Sequence, residues 1–353
     1  MRMELVLRFD YGRSVPWVTH LQDGALRAIA GPDMAVLHTG APLRGENLKT
    51  VSEFTVHEGE TVRFVLTYGP SYEKVPPPVN PDLALRDTVG FWQEWASQAD
   101  VSGEYSDAVE RSLITLKALT YRHTGGIVAA PTTSLPERLG GQRNWDYRYC
   151  WIRDATFTLL ALMNAGHFEE AKAFRDWLLR AAAGSPNQVQ IMYGILGERQ
   201  LVEWEADWLC GYECSKPVRI GNAASKQLQL DVYGEIADAM LHGHLSGIPP
   251  SDTTLALQQA LTDHLATIWD QPDHGIWEVR GEPQHFTYSK VMAWVTFDRA
   301  IKTAEKFGLQ GGVNHWRRVR QQIHRDVATR PPILILAASH NHTDRRNSTL
   351  PCC

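Results

Sequence analysis

Three stretches of this chain bring aromatic rings, carboxylates and guanidinium groups together in a way that suits a polyhydroxylated ligand. The first is NWDYRYCWIRDA, residues 144–155. A sugar has a flat C–H face and a rim of hydroxyls, so it needs aromatic faces and paired donors and acceptors. Trp145, Tyr147, Tyr149 and Trp151 can supply faces; Asp146, Arg148, Arg153 and Asp154 can supply pairs. Asp154 also stands at the start of an expected helix, where free N–H groups stabilise a carboxylate, so simple capping competes with ligand binding. The second stretch, GYECSKPVRIGNAASKQLQLDVYGE (211–235), crowds Arg219, Asn222, Gln229 and Asp231 at the entry to a helix. Capping by Asn222 is the plainer account of it. The third, HGIWEVRGEPQHFTYSK (274–290), sets Glu278 directly after Trp277 in a glycine-bounded loop. A carboxylate against an indole is an environment that raises a carboxyl pKa and keeps a proton available near neutrality. Arg280, Glu282, His285 and Lys290 follow closely, so a salt-bridge role for Glu278 stays open.

Other chemistries find little support. There is no Walker A sequence, no glycine-rich dinucleotide fingerprint and no HExxH helix. Cys210 and Cys214 lie four apart without a second Cys or His pair, which argues against zinc. The 353 residues carry 35 Lys+Arg against 40 Asp+Glu, and a net charge of -5 gives no electrostatic reason for a nucleic-acid or anionic-membrane partner. No apolar run approaches the ~18 residues of a membrane span, the N-terminus lacks a signal-peptide core, and five scattered cysteines make no disulfide framework. A cytoplasmic protein is the default expectation. The one compositional excess is Trp, at 12, and Trp145, Trp151, Trp204, Trp208, Trp269 and Trp277 fall in or beside the motif-rich loops.

The elements that must carry these loops change character along the chain. Residues 1–75 read as short strands (3–12, 25–31, 34–40, 52–60 and 61–69), and Val62, Phe64, Leu66 and Tyr68 keep the period of a half-buried strand. Four prolines between Pro76 and Pro81 mark a linker, which leads into a connecting helix over 76–104. Seven segments with helical periodicity follow within 105–330, beginning near residues 108, 153, 168, 228, 253, 288 and 313. The long intervening loops, 122–152, 185–222 and 271–286, exceed the ~15 residues a compact domain tolerates without a function for them. Helices serve as scaffold and loops as site.

Taken together, TLKALTY, GGIVAAPTTSLPE, GGQRNWDYRYCWIRDATFTL, QIMYGILGER, PVRIGNAASKQLQLDVYGE and GIWEVRGEPQHFTYSKVMAWVTFDRA resemble glycoside hydrolase family 15, the glucoamylase-like enzymes, in the bacterial branch that contains trehalases. The resemblance covers about residues 108–325. It implies a mainly α fold: part of a six-hairpin (α/α)6 barrel, preceded by the C-terminal part of an antiparallel β-sandwich. It implies inverting hydrolysis of a terminal α-glucosidic bond in an α-glucan or oligosaccharide, with trehalose as the alternative substrate and no cofactor or metal. Inversion uses an acid and a base ~6.5–9.5 Å apart. Glu278, at the family's Trp-Glu position, is then the general acid. Arg153 and Asp154 hold hydroxyls of the terminal glucose, Tyr147 and Trp151 wall its subsite, and Asn222 and Trp277 complete the expected substrate-binding set.

Two departures qualify this picture. Fungal glucoamylases carry a second Glu after the acid, whereas Val279 and Arg280 follow here, which weakens the case for starch-like substrates. The family-like text also stops near Val327, and residues 331–353 read as a non-family tail, as a shifted reading frame would give. The expectation is therefore an internal fragment whose general base lies outside the chain. A barrel lacking about five helices exposes apolar faces at a cost on the order of 10 kcal/mol, so poor solubility is expected too. Against the hydrolase stand two alternatives: a carbohydrate-binding remnant without turnover, and a damaged gene product without function. The oligomeric state is left open.

Overall fold

The structure, a computed structural model, describes residues 1–329. It divides into two compact units, Met1–Ser97 and the remainder from Gln98. The tail expected over 331–353 lies outside the described residues. Among the described residues no helix is long and apolar enough to cross a membrane.

The first unit is built from seven antiparallel strands: β1 (Arg2–Leu5), β2 (Trp17–His20), β3 (Leu26–Ala30), β4 (Asp33–Thr39), β5 (Arg44–Glu46), β6 (Lys49–Glu53) and β7 (Phe64–Pro70). They form a three-stranded sheet ordered β1-β6-β5 and a four-stranded sheet ordered β2-β3-β4-β7. Met34 and Val36 of β4 pack with Ala25 in a small buried cluster. The strand expected over 52–60 ends instead at Glu53. Beyond it His57 donates its backbone N–H to the Glu60 carboxylate, and Gly59 turns the chain at φ +86°. The period-two stripe is also corrected. Val62 lies before β7, and Leu66 and Tyr68 are 50% and 69% exposed. Among the described residues β7 pairs only with β4, so its apolar side chains lack a neighbour there on their outer flank. Helix α1 (Pro81–Ser97) closes this unit, with proline at its first position, where no N–H is needed, and Asn80 Oδ1 accepting from Asp82 and Leu83 N–H.

The second unit holds α2 (Ser106–Ala118), α3 (Ile152–Asn164), α4 (Phe168–Ala181), α5 (Asp231–Leu245), α6 (Asp252–Leu265), α7 (Thr287–Phe307) and α8 (Val313–Thr329), one for each expected helical segment. Helix α5 packs against α3 on one side and α7 on the other, while α4, α6 and α8 each pack on the helix that precedes them. Three successive helical hairpins, α3/α4, α5/α6 and α7/α8, thus make a partial six-hairpin α/α barrel. The α5/α7 contact is close because Gly234 lacks a side chain: a Cβ there would sit 2.4 Å from the Met292 carbonyl oxygen. Phe174, Trp177, Leu230, Ile236, Leu265, Phe297 and Trp316 fill the core between these helices. Strong side-chain packing on the scaffold leaves the polar, irregular loops at the helix entries to carry the chemistry.

Candidate active site

Loop 273–284 is the centre of the site. Asp273 and Gln284 close its base with reciprocal backbone hydrogen bonds of 2.8 and 2.7 Å. Inside it, Gly275 (φ +64°) lies so close to Phe286 that a Cβ would approach the ring to 2.6 Å. Glu278 adopts φ +52°, a left-handed conformation uncommon outside glycine, with its N–H donating to the Gly275 carbonyl at 3.1 Å. The carboxylate is thereby turned into the protein, and its side chain is 22% exposed.

Trp151 meets it there. This residue caps the N-terminus of α3 and is held by a two-residue antiparallel pairing of Cys150–Trp151 with Met192–Tyr193. Its indole Nε1 donates to Glu278 Oε1 at 2.6 Å. At the second residue of α3, Arg153 places Nη2 3.7 Å from the same carboxylate oxygen and 3.2 Å from Asp154 Oδ2, while Nη1 donates to the Ile276 carbonyl at 3.2 Å. The Tyr147 ring lies 5.9 Å from that of Trp151, tilted by 44°. Burial pushes the Glu278 carboxyl above its ordinary range; the Trp151 hydrogen bond and the Arg153 charge oppose the rise, and Asp154 adds to it. A carboxyl so held keeps its proton to higher pH than an ordinary one and can lend it to a ligand atom.

The structure brings Tyr147, Trp151, Arg153, Asp154 and Glu278 together. It treats the other expected residues differently. Trp277 is 74% exposed, so the indole against Glu278 belongs to Trp151 rather than to its chain neighbour. Asn222 is buried, its Nδ2 donating to the Asp146 carbonyl and its Oδ1 capping Ala224 N–H, so both ends of its side chain brace the loop. Asp146 and Arg148 pair with each other at 2.7 Å, and Asp146 is fully buried, which removes Asp146 from the ligand-binding candidates, while the Arg148 side chain stays part-exposed. The faces of Trp145 are engaged by guanidinium groups: Arg219 and Arg280 each lie 4.6 Å from its ring centroid. Glu203 links these two arginines, 2.9 Å from Arg280 and 3.9 Å from Arg219. Arg280 is thus committed to Glu203, and Lys290 to the Trp269 and Gln271 carbonyls at 2.7 Å each.

Behind the site lie two carboxylates, Asp231, which the second stretch already picks out, and Glu235, which it does not. Asp231 opens α5 and Glu235 follows one turn later, each 2% exposed. Burial pushes Asp231 up to about 6, against the Arg153 charge, and Glu235 up to about 7, against a 2.8 Å hydrogen bond from the Tyr288 hydroxyl. Their four-residue spacing on one helix face was the available signal.

The sequence pattern described as Glycosyl hydrolases family 15 matches residues 103–348, running past Val327. Among curated proteins, the trehalase of Mycolicibacterium smegmatis is 42% identical over 337 residues, covering 91% of this chain and 50% of its own length. The trehalase of Mycobacterium tuberculosis is 42% identical over 278 residues, covering 76% of this chain and 40% of its own length. A solved glucoamylase from Saccharomycopsis fibuligera aligns with a TM-score of 0.45 at 14% identity, over 65% of this chain and 50% of that one. The chain spans about half the length of the curated relatives it matches. With this match laid over the loops that join Trp151, Arg153 and Glu278, the chain belongs to the glycosyl hydrolases of family 15.

Proposed function

We propose that this chain carries the acid half of an inverting α-glucosidase site and that the substrate is trehalose. The observation that carries the reading is the Glu278 carboxyl, raised in pKa by burial and held 2.6 Å from the Trp151 indole nitrogen. Glu278 gives its proton to the glycosidic oxygen as the C1–O bond breaks and the bonding pair passes to that oxygen. Water adds to C1 from the opposite face and loses its proton to a second carboxylate. That base is proposed to lie in the part of the relatives' length that this chain does not span. Arg153 and Asp154, whose side chains are 22% and 42% exposed, bind hydroxyls of the glucose that receives the water, and Tyr147 with Trp151 walls its apolar face. Trp277 offers an exposed indole at the rim.

Two trehalases at 42% identity support trehalose over an α-glucan or oligosaccharide substrate. The commitment of Arg280 to Glu203 and Trp145, where a second glutamate would follow the acid in a fungal glucoamylase, points the same way. The test measures glucose released from trehalose, maltose and isomaltose by this chain and by a protein extended to the relatives' length. Trehalose turnover by the longer protein, lost in Glu278→Gln, is expected. Equal turnover of maltose would favour the α-glucan reading, and full activity of Glu278→Gln would remove the acid assignment. Binding of trehalose without turnover in both proteins would leave the carbohydrate-binding remnant.

A further inference from the structure

Glu278 presents its carboxyl from a backbone conformation that L-residues rarely hold unless their surroundings over-determine it. Beyond the contacts already described, one short segment, 227–230, that runs into α5 braces this loop. Leu228 accepts from the His274 N–H at 3.0 Å, and the Leu230 N–H donates to Asp273 Oδ2 at 2.9 Å, which anchors the start of the loop. Gln227 reaches the strained residue itself. Its Nε2 donates to the Glu278 carbonyl at 3.3 Å and to the Val279 carbonyl at 3.2 Å.

A primary amide can serve two carbonyls only with its NH2 end towards them; rotated by half a turn it sets oxygen against oxygen. Gln229 determines which end faces the loop. Its Nε2 donates to Gln227 Oε1 at 3.1 Å, which fixes that oxygen as the acceptor and leaves the NH2 for Glu278 and Val279. Gln229 is 3% exposed, so water does not compete for the contact. We propose that Gln229 and Gln227 form a two-amide relay that positions Glu278, directing its carboxyl onto Trp151 without touching the substrate. The kinetic consequence rests on the proposed hydrolase reading; the geometric one does not.

The test follows the Trp151 indole N–H in the full chain with 15N-labelled tryptophan, the signal being assigned through Trp151→Phe. Because this N–H donates to Glu278, its shift titrates with the carboxyl, and the titration vanishes in Glu278→Gln. Gln229→Glu keeps the size of the side chain and, once ionised, can only accept, so at high pH it turns the Gln227 amide around; Gln229→Leu and Gln227→Leu break the relay outright. In every variant that keeps the parent's melting temperature, the Trp151 titration is expected to lose most of its amplitude. In the longer protein kcat falls about 10- to 100-fold with KM unchanged. An unaltered titration in the folded variants overturns the relay. Failure of all three variants to fold overturns a role confined to positioning. A lost titration in variants of a longer protein that, unmutated, does not hydrolyse trehalose upholds the relay and overturns the trehalase reading instead.

Discussion

The sheet β1-β6-β5 and the loops around Glu278 use the same side chains to opposite ends. In the sheet, Arg2 contacts Glu4, Glu46 and Glu53 at 2.9–3.0 Å, Arg44 contacts Glu53 at 2.9 Å, and Lys49 contacts Glu4 at 3.0 Å. All are well exposed, and the basic partners hold the three carboxyls below their ordinary range. Glu278 also has a guanidinium nearby and a donor closer than any in the sheet, yet its carboxyl is raised. Loss of water explains the reversal, because dehydration penalises the charged form more than a single neutral N–H and a shared arginine restore it.

Glu203 shows what a full charge at close range does against the loss of water. Its side chain is 19% exposed against 22% for Glu278. Burial pushes it up, but the Ala223 N–H at 3.0 Å and Arg280 at 2.9 Å outweigh that, and its carboxyl is lowered. The loops therefore set Arg280 on a structural carboxylate. Glu278 receives an indole N–H, and an arginine at 3.7 Å that also serves Asp154. The charge of the nearest partner and the depth of burial together separate an ion-pair carboxylate from one able to act as an acid.

Four measurements can break or sharpen this contrast. The largest effect is expected from Glu278→Gln in a protein of the relatives' length: hydrolysis falls by roughly 10²–10⁴-fold with the melt preserved. Wild-type turnover would sever the contrast from function. Next, Trp151→Phe removes a hydrogen bond that favours the ionised carboxylate, so the Glu278 pKa rises further. The alkaline limb of the pH–rate profile should move to higher pH while the rate drops about 10- to 100-fold; a downward shift of that limb would show the sign to be wrong.

Third, Glu235 is raised from 4.5 to about 7 by burial, so between those values the folded state holds a proton that the unfolded chain has released. Its stabilising contribution is full below about 4.5 and is lost as pH rises through about 7. Glu235→Gln should flatten the fall in unfolding free energy across that window, by on the order of 3 kcal/mol. An unchanged slope would mean that burial at α5 has no such effect. The smallest effect is expected in the exposed sheet. Arg2→Ala should let Glu46 titrate closer to its ordinary range, with a melt indistinguishable from the parent's at high salt. A large, salt-independent loss there would erase the distinction between the two regions.

Helix positions were legible because each amphipathic segment reports its own burial through local periodicity. The adjacency of Arg153 to Asp154, and the glycines bounding loop 274–281, were equally local. The strand stripe Phe64, Leu66 and Tyr68 misled because period two says which side chains share a face, not whether that face is covered. Loop aromatics misled for a related reason. Trp277 adjoins Glu278 in the chain but lies in solvent, whereas Trp151, 127 residues earlier, provides the contact. Asp146, Arg148 and Trp145 resemble ligand-binding residues in sequence and turn out to be satisfied by one another or by Arg219 and Arg280.

By itself the sequence determined the residue types of the site, the helices that carry them and the loops too long to be mere connections, since all of these are properties of neighbours along the chain. Only the tertiary structure decided which carboxylates keep water, which meet a cation at 2.9 Å and which meet an indole instead. Those outcomes depend on loops 142–152, 201–231 and 273–284 arriving at one place, and the sign of a pKa shift is set by what has gathered there.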